Sequence, residues 1–222
     1  LHWKTKEGLV RGCACRGTAG FAHVSCLAEQ AKILREEAEE NNLSDKLNER
    51  WDRWYTCSLC EQQYHGVVRY ALGWACWKAY VGRPETDEAR LGAISALGNG
   101  LSIVGHHEDA LSVREAQLFL VRRIGGSEHN ILGMLTNLSS TYFALGRLDE
   151  TMRLRQEVYS GYLKHYGEEH KHSLGAAYNL ATCLRNLERF EEAKSLLRKM
   201  MPVARRVLGE SHDLTLKMRW HD

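Results

Sequence analysis

Six residues of the first 60 have the types and spacing of a metal site. In order along the chain they are Cys13, Cys15, His23, Cys26, Cys57 and Cys60. Thiolates and an imidazole separated by short turns are the ligands that Zn²⁺ takes in structural sites. Two close cysteine pairs favour a metal over disulfides and therefore a reducing compartment. The alternative is a set of buried thiols without metal.

The order C-x-C-x7-H-x2-C followed by C-x2-C resembles the last six ligands of the RING-variant (RING-CH, C4HC3) zinc finger. In that family the third, fourth, seventh and eighth ligands share one ion. The resemblance therefore implies a complete four-thiolate zinc site from the two close cysteine pairs. It also implies that His23 and Cys26 share a second ion with a leading C-x2-C pair.

The leading pair of that second site is absent from the sequence. Because the chain begins at Leu1 without a methionine, we expect the pair to lie upstream. His2 and His65 are the alternative ligands, and the sequence favours neither of them.

The segment between Cys26 and Cys57 is longer than the finger family usually has. Its pattern predicts a charged helix over 28–40 and a shorter one over 44–55, which we interpret as a surface insertion. Two interpretations remain open for the aromatic residues of the shorter helix, Trp51 and Trp54. The resemblance implies that one of them contacts a ubiquitin-conjugating enzyme together with Leu59, whereas the alternative is that they cover the zinc core.

A repeated pattern begins near residue 85. Asn137-Leu138 recurs as Asn179-Leu180, and the closing turn recurs in steps of 41 and then 42 residues. The pattern predicts three units with approximate limits of 91–132, 133–174 and 175–216. Each unit consists of a helix, a short turn and a second helix. A partial fourth unit is predicted over 212–220. Such helix pairs bury their apolar faces only by stacking on neighbours, which predicts an α-solenoid.

These units resemble tetratricopeptide repeats of the kinesin-light-chain type. The resemblance implies that Asn137 and Asn179 lie on inner helices, where amides can bind the backbone of a protein or peptide ligand. A hydrogen bond between helices is the alternative role. In the first unit Ala96 takes this position.

The sequence predicts a mainly α protein: a small zinc-binding finger over 1–62, a connecting helix over 63–84 and tetratricopeptide-like repeats over 85–222. The apolar pattern of the connecting helix runs over 61–81 and ends before Pro84. Formal net charge is +2, with both signs interleaved, so no nucleic-acid surface is indicated. The longest apolar stretch is too short for a membrane span, and we predict a cytoplasmic protein, with the nucleus as the alternative.

The remaining cysteines and the recurring histidines have structural interpretations. Cys76 and Cys183 lie on apolar helical faces and are predicted to be buried. His129, His170 and His212 recur at the closing turn and are predicted to be turn or cap residues.

The two resemblances together imply an E3 ubiquitin ligase. Its finger would recruit a ubiquitin-conjugating enzyme and its repeats would hold the target, so that the chain needs no catalytic residue of its own. Zinc would be structural. The competing hypothesis is a non-enzymatic scaffold in which the zinc knuckle is one more protein-binding surface.

Overall fold

The computed structural model describes residues 1–2 and 4–219. The chain divides into two compact units, Leu1–Gln117 and Leu118–Asp222. The helices and strands, in order, are β1 (Val10–Arg11), β2 (Phe21–Ala22), α1 (Val24–Glu40), α2 (Leu47–Trp51), α3 (Gly66–Tyr80), α4 (Glu88–Ile103), α5 (His107–Arg123), α6 (Glu128–Ala144), α7 (Leu148–Tyr166), α8 (Lys171–Asn186), α9 (Phe190–Leu208) and α10 (Asp213–Arg219). The predicted fold class, mainly α with helix-turn-helix repeats, is confirmed.

The finger region is held by a few backbone ladders. β1 and β2 pair antiparallel with Val10 opposite Ala22. A second hairpin carries the later cysteine pair, and Thr56 bridges Gln63 across it. These short ladders place both cysteine pairs on turns, which pack against Tyr64, Val68 and Leu72.

The connecting helix begins later than predicted. The apolar pattern suggested a start at Glu61, but α3 begins at Gly66. Glu61 instead has a positive φ of 54° and closes the turn after Cys60. The α1 helix, in contrast, begins at Val24, four residues before the predicted start, with His23 at its N-cap.

The first unit joins the finger region to the first repeat helix through close helix contacts. The backbones of α3 and α4 approach so closely that a Cβ on Gly73 would lie 2.7 Å from the carbonyl oxygen of Ala96. A Cβ on Gly12 would lie 2.5 Å from Cβ of Val68, which fixes the first cysteine pair against α3. The helix predicted to be a connector is therefore the shared core of this unit.

The interpretation of residues 27–56 as a surface insertion is wrong. Ala31 of α1 and Trp54 are buried in one cluster with Tyr80 of α3 and Ala93 of α4. The predicted helix over 44–55 is only partly formed: α2 is flanked by the 3-10 helices Ser44–Lys46 and Asp52–Trp54. The segment supplies large side chains to the core that α3 and α4 share.

The second unit consists of the helix pairs α6/α7 and α8/α9 followed by α10. Leu174, Leu197, Met200 and Met218 are fully buried in its core. The α6 helix begins after Ser127, whose side chain accepts a hydrogen bond from the Asn130 N–H. Of the predicted fourth unit, α10 is formed and Trp220 lies outside the described residues.

The turn inside each repeat uses a left-handed residue. Gly105 and Gly146 have φ of 83° and 73°, and Glu188 takes the same position with φ of 58°. A side chain in this conformation costs about 1–2 kcal/mol. We therefore expect Glu188→Gly to raise the free energy of unfolding by about 0.5–1 kcal/mol, after the extra entropy of an unfolded glycine is subtracted. Urea denaturation measures this, with Gly146→Ala, expected to destabilise, as the matched variant.

Histidines meet where α6, α7 and α8 converge. The ring of His172 lies 5.5 Å from that of His129 and 5.0 Å from that of His170, and it stacks on Tyr162 at 5.3 Å. His170 is the N-cap of α8, as predicted for a cap residue, and accepts a hydrogen bond from the His172 N–H. Burial, followed by the neighbouring His170 and His129, lowers the pKa of His172.

This lowered pKa predicts acid sensitivity of the second unit. Below about pH 6.5, His172 is protonated in the unfolded chain but binds a proton less readily in the folded chain. The free energy of unfolding therefore falls as the pH decreases. Lys171 and the helix N-termini add to the repulsion of a charged imidazole. Thermal unfolding at pH 7.5 and 5.5 should show a smaller loss of stability in His172→Gln than in the wild type. An identical loss in both would contradict this assignment.

Within the part of the chain that the structure describes, no helix is both long enough and apolar enough to span a lipid bilayer.

Candidate functional site

The two predicted cysteine pairs come together in the first unit. The sulfur atoms of Cys13, Cys15, Cys57 and Cys60 all lie within 4.8 Å of one another. Among the described residues this is the only group of three or more metal-ligating side chains so close together. The Sγ atoms of Cys15 and Cys57 are 3.7 Å apart, and two thiolates on one tetrahedral Zn²⁺ with bonds of about 2.3 Å lie about 3.8 Å apart. The four sulfur donors and the Cys15–Cys57 distance therefore fit zinc.

Backbone N–H groups donate hydrogen bonds to the sulfurs of the later cysteine pair. The Leu59 N–H donates a hydrogen bond to Sγ of Cys57. The backbone N–H of Gln62 is the main cause that lowers the pKa of Cys60 to about 7. A hydrogen bond between the side chains of Cys15 and Cys60, followed by burial, raises the pKa of Cys15 to about 12. Four adjacent thiols cannot all ionise unless a cation balances their charge, and a bound zinc ion would supply that charge.

The other two predicted ligands form a separate pair. Nδ1 of His23 lies 3.7 Å from Sγ of Cys26, which is exposed at the start of α1. The ring of His2 lies edge-to-face with that of His23 at 5.1 Å. His65 is instead the N-cap of α3, and its N–H donates to the carbonyl of Gly12. Of the two alternative ligands, the structure places His2 beside the pair.

Of the residues predicted to contact a conjugating enzyme, Trp54 is buried and Leu59 is exposed. Trp54 is 2% exposed and packs against Tyr80, with a ring separation of 6.0 Å. Its predicted role as a partner-binding residue is therefore corrected: this indole supports the core and offers no surface to a partner. Leu59 lies between the later two cysteines and is 68% exposed.

The repeat asparagines lie on the first helices of their pairs. Asn137 is exposed on α6, and Asn179 is half-buried on α8. The buried Arg155 of α7 donates a hydrogen bond of 2.6 Å to the carbonyl oxygen of Asn179, with its guanidinium 4.5 Å from the ring centre of Phe143. The main chain at Asn179 is thus fixed by a neighbouring helix, as a preformed binding surface requires.

A groove lies between α7 and α9. Its volume is about 650 Å³, its floor includes Leu180 and Leu184 of α8, and its rim includes Glu191 and Lys199. Sequence analysis did not predict this groove, because it is formed by residues from three helices.

Sequence analysis also missed the position of Trp51. The indole lies directly over Gly92 of α4. The available signal was a repeated Leu-Gly dipeptide, with its glycine at Gly92, Gly133 and Gly175, the same place in each unit. A glycine retained inside three helices indicates a surface that another group approaches.

Comparisons with known proteins agree with the helical repeats. Residues 131–172 and 173–213 match the family model described as tetratricopeptide repeat. A Podosopora anserina putative kinesin light chain with nearly identical TPR-like repeats shares the fold, with 20% identity and a TM-score of 0.57 over 90% of this chain and 84% of that chain. No curated protein matches the chain.

Two further solved structures are similar in fold. BtubC (BKLC) from P. vanneervenii is 16% identical, with a TM-score of 0.52 over 88% of this chain and 61% of that chain. A Rap protein complexed with competence and sporulation factor is 14% identical, with a TM-score of 0.57 over 86% of this chain and 52% of that chain. The chain thus spans less than two thirds of the length of either, and at these identities the likeness concerns the fold alone.

Residues 131–213 therefore match tetratricopeptide repeats, and the first unit contains four cysteines with the spacing of a metal site. The family match does not include the cysteine-rich segment.

Proposed function

We propose that this chain is a protein-interaction protein whose repeats bind a protein or peptide ligand and whose four-cysteine site holds one structural zinc ion. The observation that carries the proposal is the approach of four sulfurs to within 4.8 Å in a unit that also contains the first repeat helix. All four tetrahedral positions would be filled by protein, so zinc would stabilise the fold and leave no open position for chemistry.

The ligand surface is proposed on α6 and α8, where Asn137 and Asn179 offer amide groups at the same repeat position. Backbone recognition by such amides needs a helix face free of bulky side chains. Gly133 and Gly175 lie one turn before the two asparagines, and no atom of another helix lies within 4 Å of the place where a Cβ would stand. This open surface supports an extended peptide as the ligand.

A peptide-array screen on the full chain tests the ligand proposal. Peptides that bind the wild type are then measured by calorimetry against Asn179→Ala and against Asn186→Ala, an exposed residue of the same helix whose side chain bonds the carbonyl of Thr182. We expect weaker binding in Asn179→Ala with unchanged melting temperature. Unchanged binding together with a large fall in melting temperature would instead assign Asn179 to a structural hydrogen bond.

An E3 ubiquitin ligase is the second candidate function. It is favoured by the exposed Leu59 in the knuckle between Cys57 and Cys60, an apolar side chain that a conjugating enzyme would contact. Zinc-loaded protein is incubated with ubiquitin, an activating enzyme and a panel of conjugating enzymes. Ubiquitin transfer that is lost in Leu59→Ala supports the ligase. Zinc-loaded protein that is inactive with every enzyme of the panel leaves the scaffold as the function.

A further inference from the structure

One glycine position recurs in all three repeats. Gly92, Gly133 and Gly175 each follow a leucine, and the last two precede Asn137 and Asn179 by four residues. They therefore mark the same surface of α4, α6 and α8, the first helix of each pair.

The surroundings of this surface differ between the units. A Cβ on Gly92 would lie 2.6 Å from Cζ2 of Trp51, closer than any real contact. At Gly133 and Gly175 no atom of another helix lies within 4 Å of that place. The indole of Trp51 thus covers on α4 the surface that is open on α6 and α8.

Trp51 is firmly held in this place. Its Nε1–H donates a hydrogen bond of 3.0 Å to the Tyr55 hydroxyl, and its ring lies 5.5 Å from that of Tyr80. The guanidinium of Arg35 lies 5.6 Å from the indole. A methyl group added at Gly92 therefore cannot be accommodated by a simple rotation of the indole.

The support of Trp51 continues directly into the four-cysteine site. The Tyr64 N–H donates a hydrogen bond of 2.8 Å to the carbonyl of Tyr55, and the Cys57 N–H donates to the carbonyl of Gln62. These bonds close the hairpin that carries Cys57 and Cys60. A metal ion that fixes this hairpin would also fix Tyr55 and, through it, Trp51.

We propose that the side chain of Trp51 occupies the ligand-facing surface of the first repeat. It covers α4 at Gly92 and is held there by the metal at the four-cysteine site. The metal dependence rests on the proposed zinc site. The α4 surface at Gly92 is then closed to ligands while zinc is bound, and removal of zinc exposes it. Metal occupancy would in this way control how much repeat surface is available to a partner.

The same substitution at the three glycines tests the cover. Alanine is favoured over glycine inside a helix, so Gly133→Ala and Gly175→Ala are expected to raise the melting temperature of the full chain by about 2–4 °C. Gly92→Ala is expected to lower it and to increase acrylamide quenching of tryptophan fluorescence, since the indole is displaced. A melting temperature that rises equally in all three variants would overturn the proposal.

Hydrogen exchange tests the control by metal. In the full-length, zinc-loaded wild type, chelation should speed exchange in α4 by about tenfold or more while α8 stays unchanged. Trp51→Ala should speed α4 exchange without chelation, and Trp74→Ala, on the exposed side of α3, should not. If zinc is bound and removed but α4 is unaffected, the proposal is overturned. If no zinc is bound, the zinc assignment fails, and the Trp51→Ala result alone supports or overturns the cover.

Discussion

Cys57→Ser is expected to reduce the zinc content of the purified chain from about one ion to none. Cys57 is buried, and its sulfur lies 3.7 Å from that of Cys15 and within 4.8 Å of the other two ligands. A structural zinc site contributes about 10–16 kcal/mol of binding energy in small domains, and a hydroxyl in place of one thiolate removes a ligand bond and a negative charge. Elemental analysis after gel filtration measures the metal.

The control for this variant is Cys26→Ser. Cys26 belongs to the separate pair with His23 and lies exposed at the start of α1, so this change should leave the four-cysteine ion in place. Circular dichroism of Cys57→Ser should retain the helices of the second unit. Loss of zinc in Cys26→Ser, with retention in Cys57→Ser, would contradict the four-cysteine assignment.

Trp54→Ala is expected to lower the free energy of unfolding by about 3–5 kcal/mol, the usual cost of removing a fully buried aromatic side chain. The indole is 2% exposed and packs among Ala31, Cys76 and Tyr80, where the finger region meets α3. The loss should appear in the unfolding of the first unit, monitored by urea titration.

Leu59→Ala is the matched comparison for Trp54→Ala. Its side chain is 68% exposed, and a surface change of this kind alters stability by about 0.5 kcal/mol or less. If instead Trp54→Ala left stability unchanged and abolished a partner interaction, the assignment of Trp54 to the core would be wrong.

The features that could be predicted from sequence are those with a fixed period or spacing. The 41- and 42-residue steps of the closing turn placed the turns before α6, α8 and α10, because each helix pair repeats the same apolar pattern. The spacing alone gave six candidate ligands, and the resemblance to the RING-variant finger implied which four sulfurs meet.

Other features depend on contacts that no local pattern carries. Trp51 and Trp54 have the same residue type and similar neighbours, so only the packing of α3 and α4 decides that one covers Gly92 and the other fills the core. The start of α3 at Gly66 likewise depends on the hairpin after Cys60, which competes with the helix for residues 61–65. The cluster of His129 and His172 joins two repeats through Tyr166, which a single-repeat pattern does not reveal.

X-ray absorption at the zinc edge of the purified full chain tests the central claim most directly. We predict one zinc ion per chain with four sulfur neighbours at about 2.3 Å, the signature of ligation by Cys13, Cys15, Cys57 and Cys60. A first shell that contains nitrogen or oxygen, or a chain that holds no zinc after purification under reducing conditions, would contradict it.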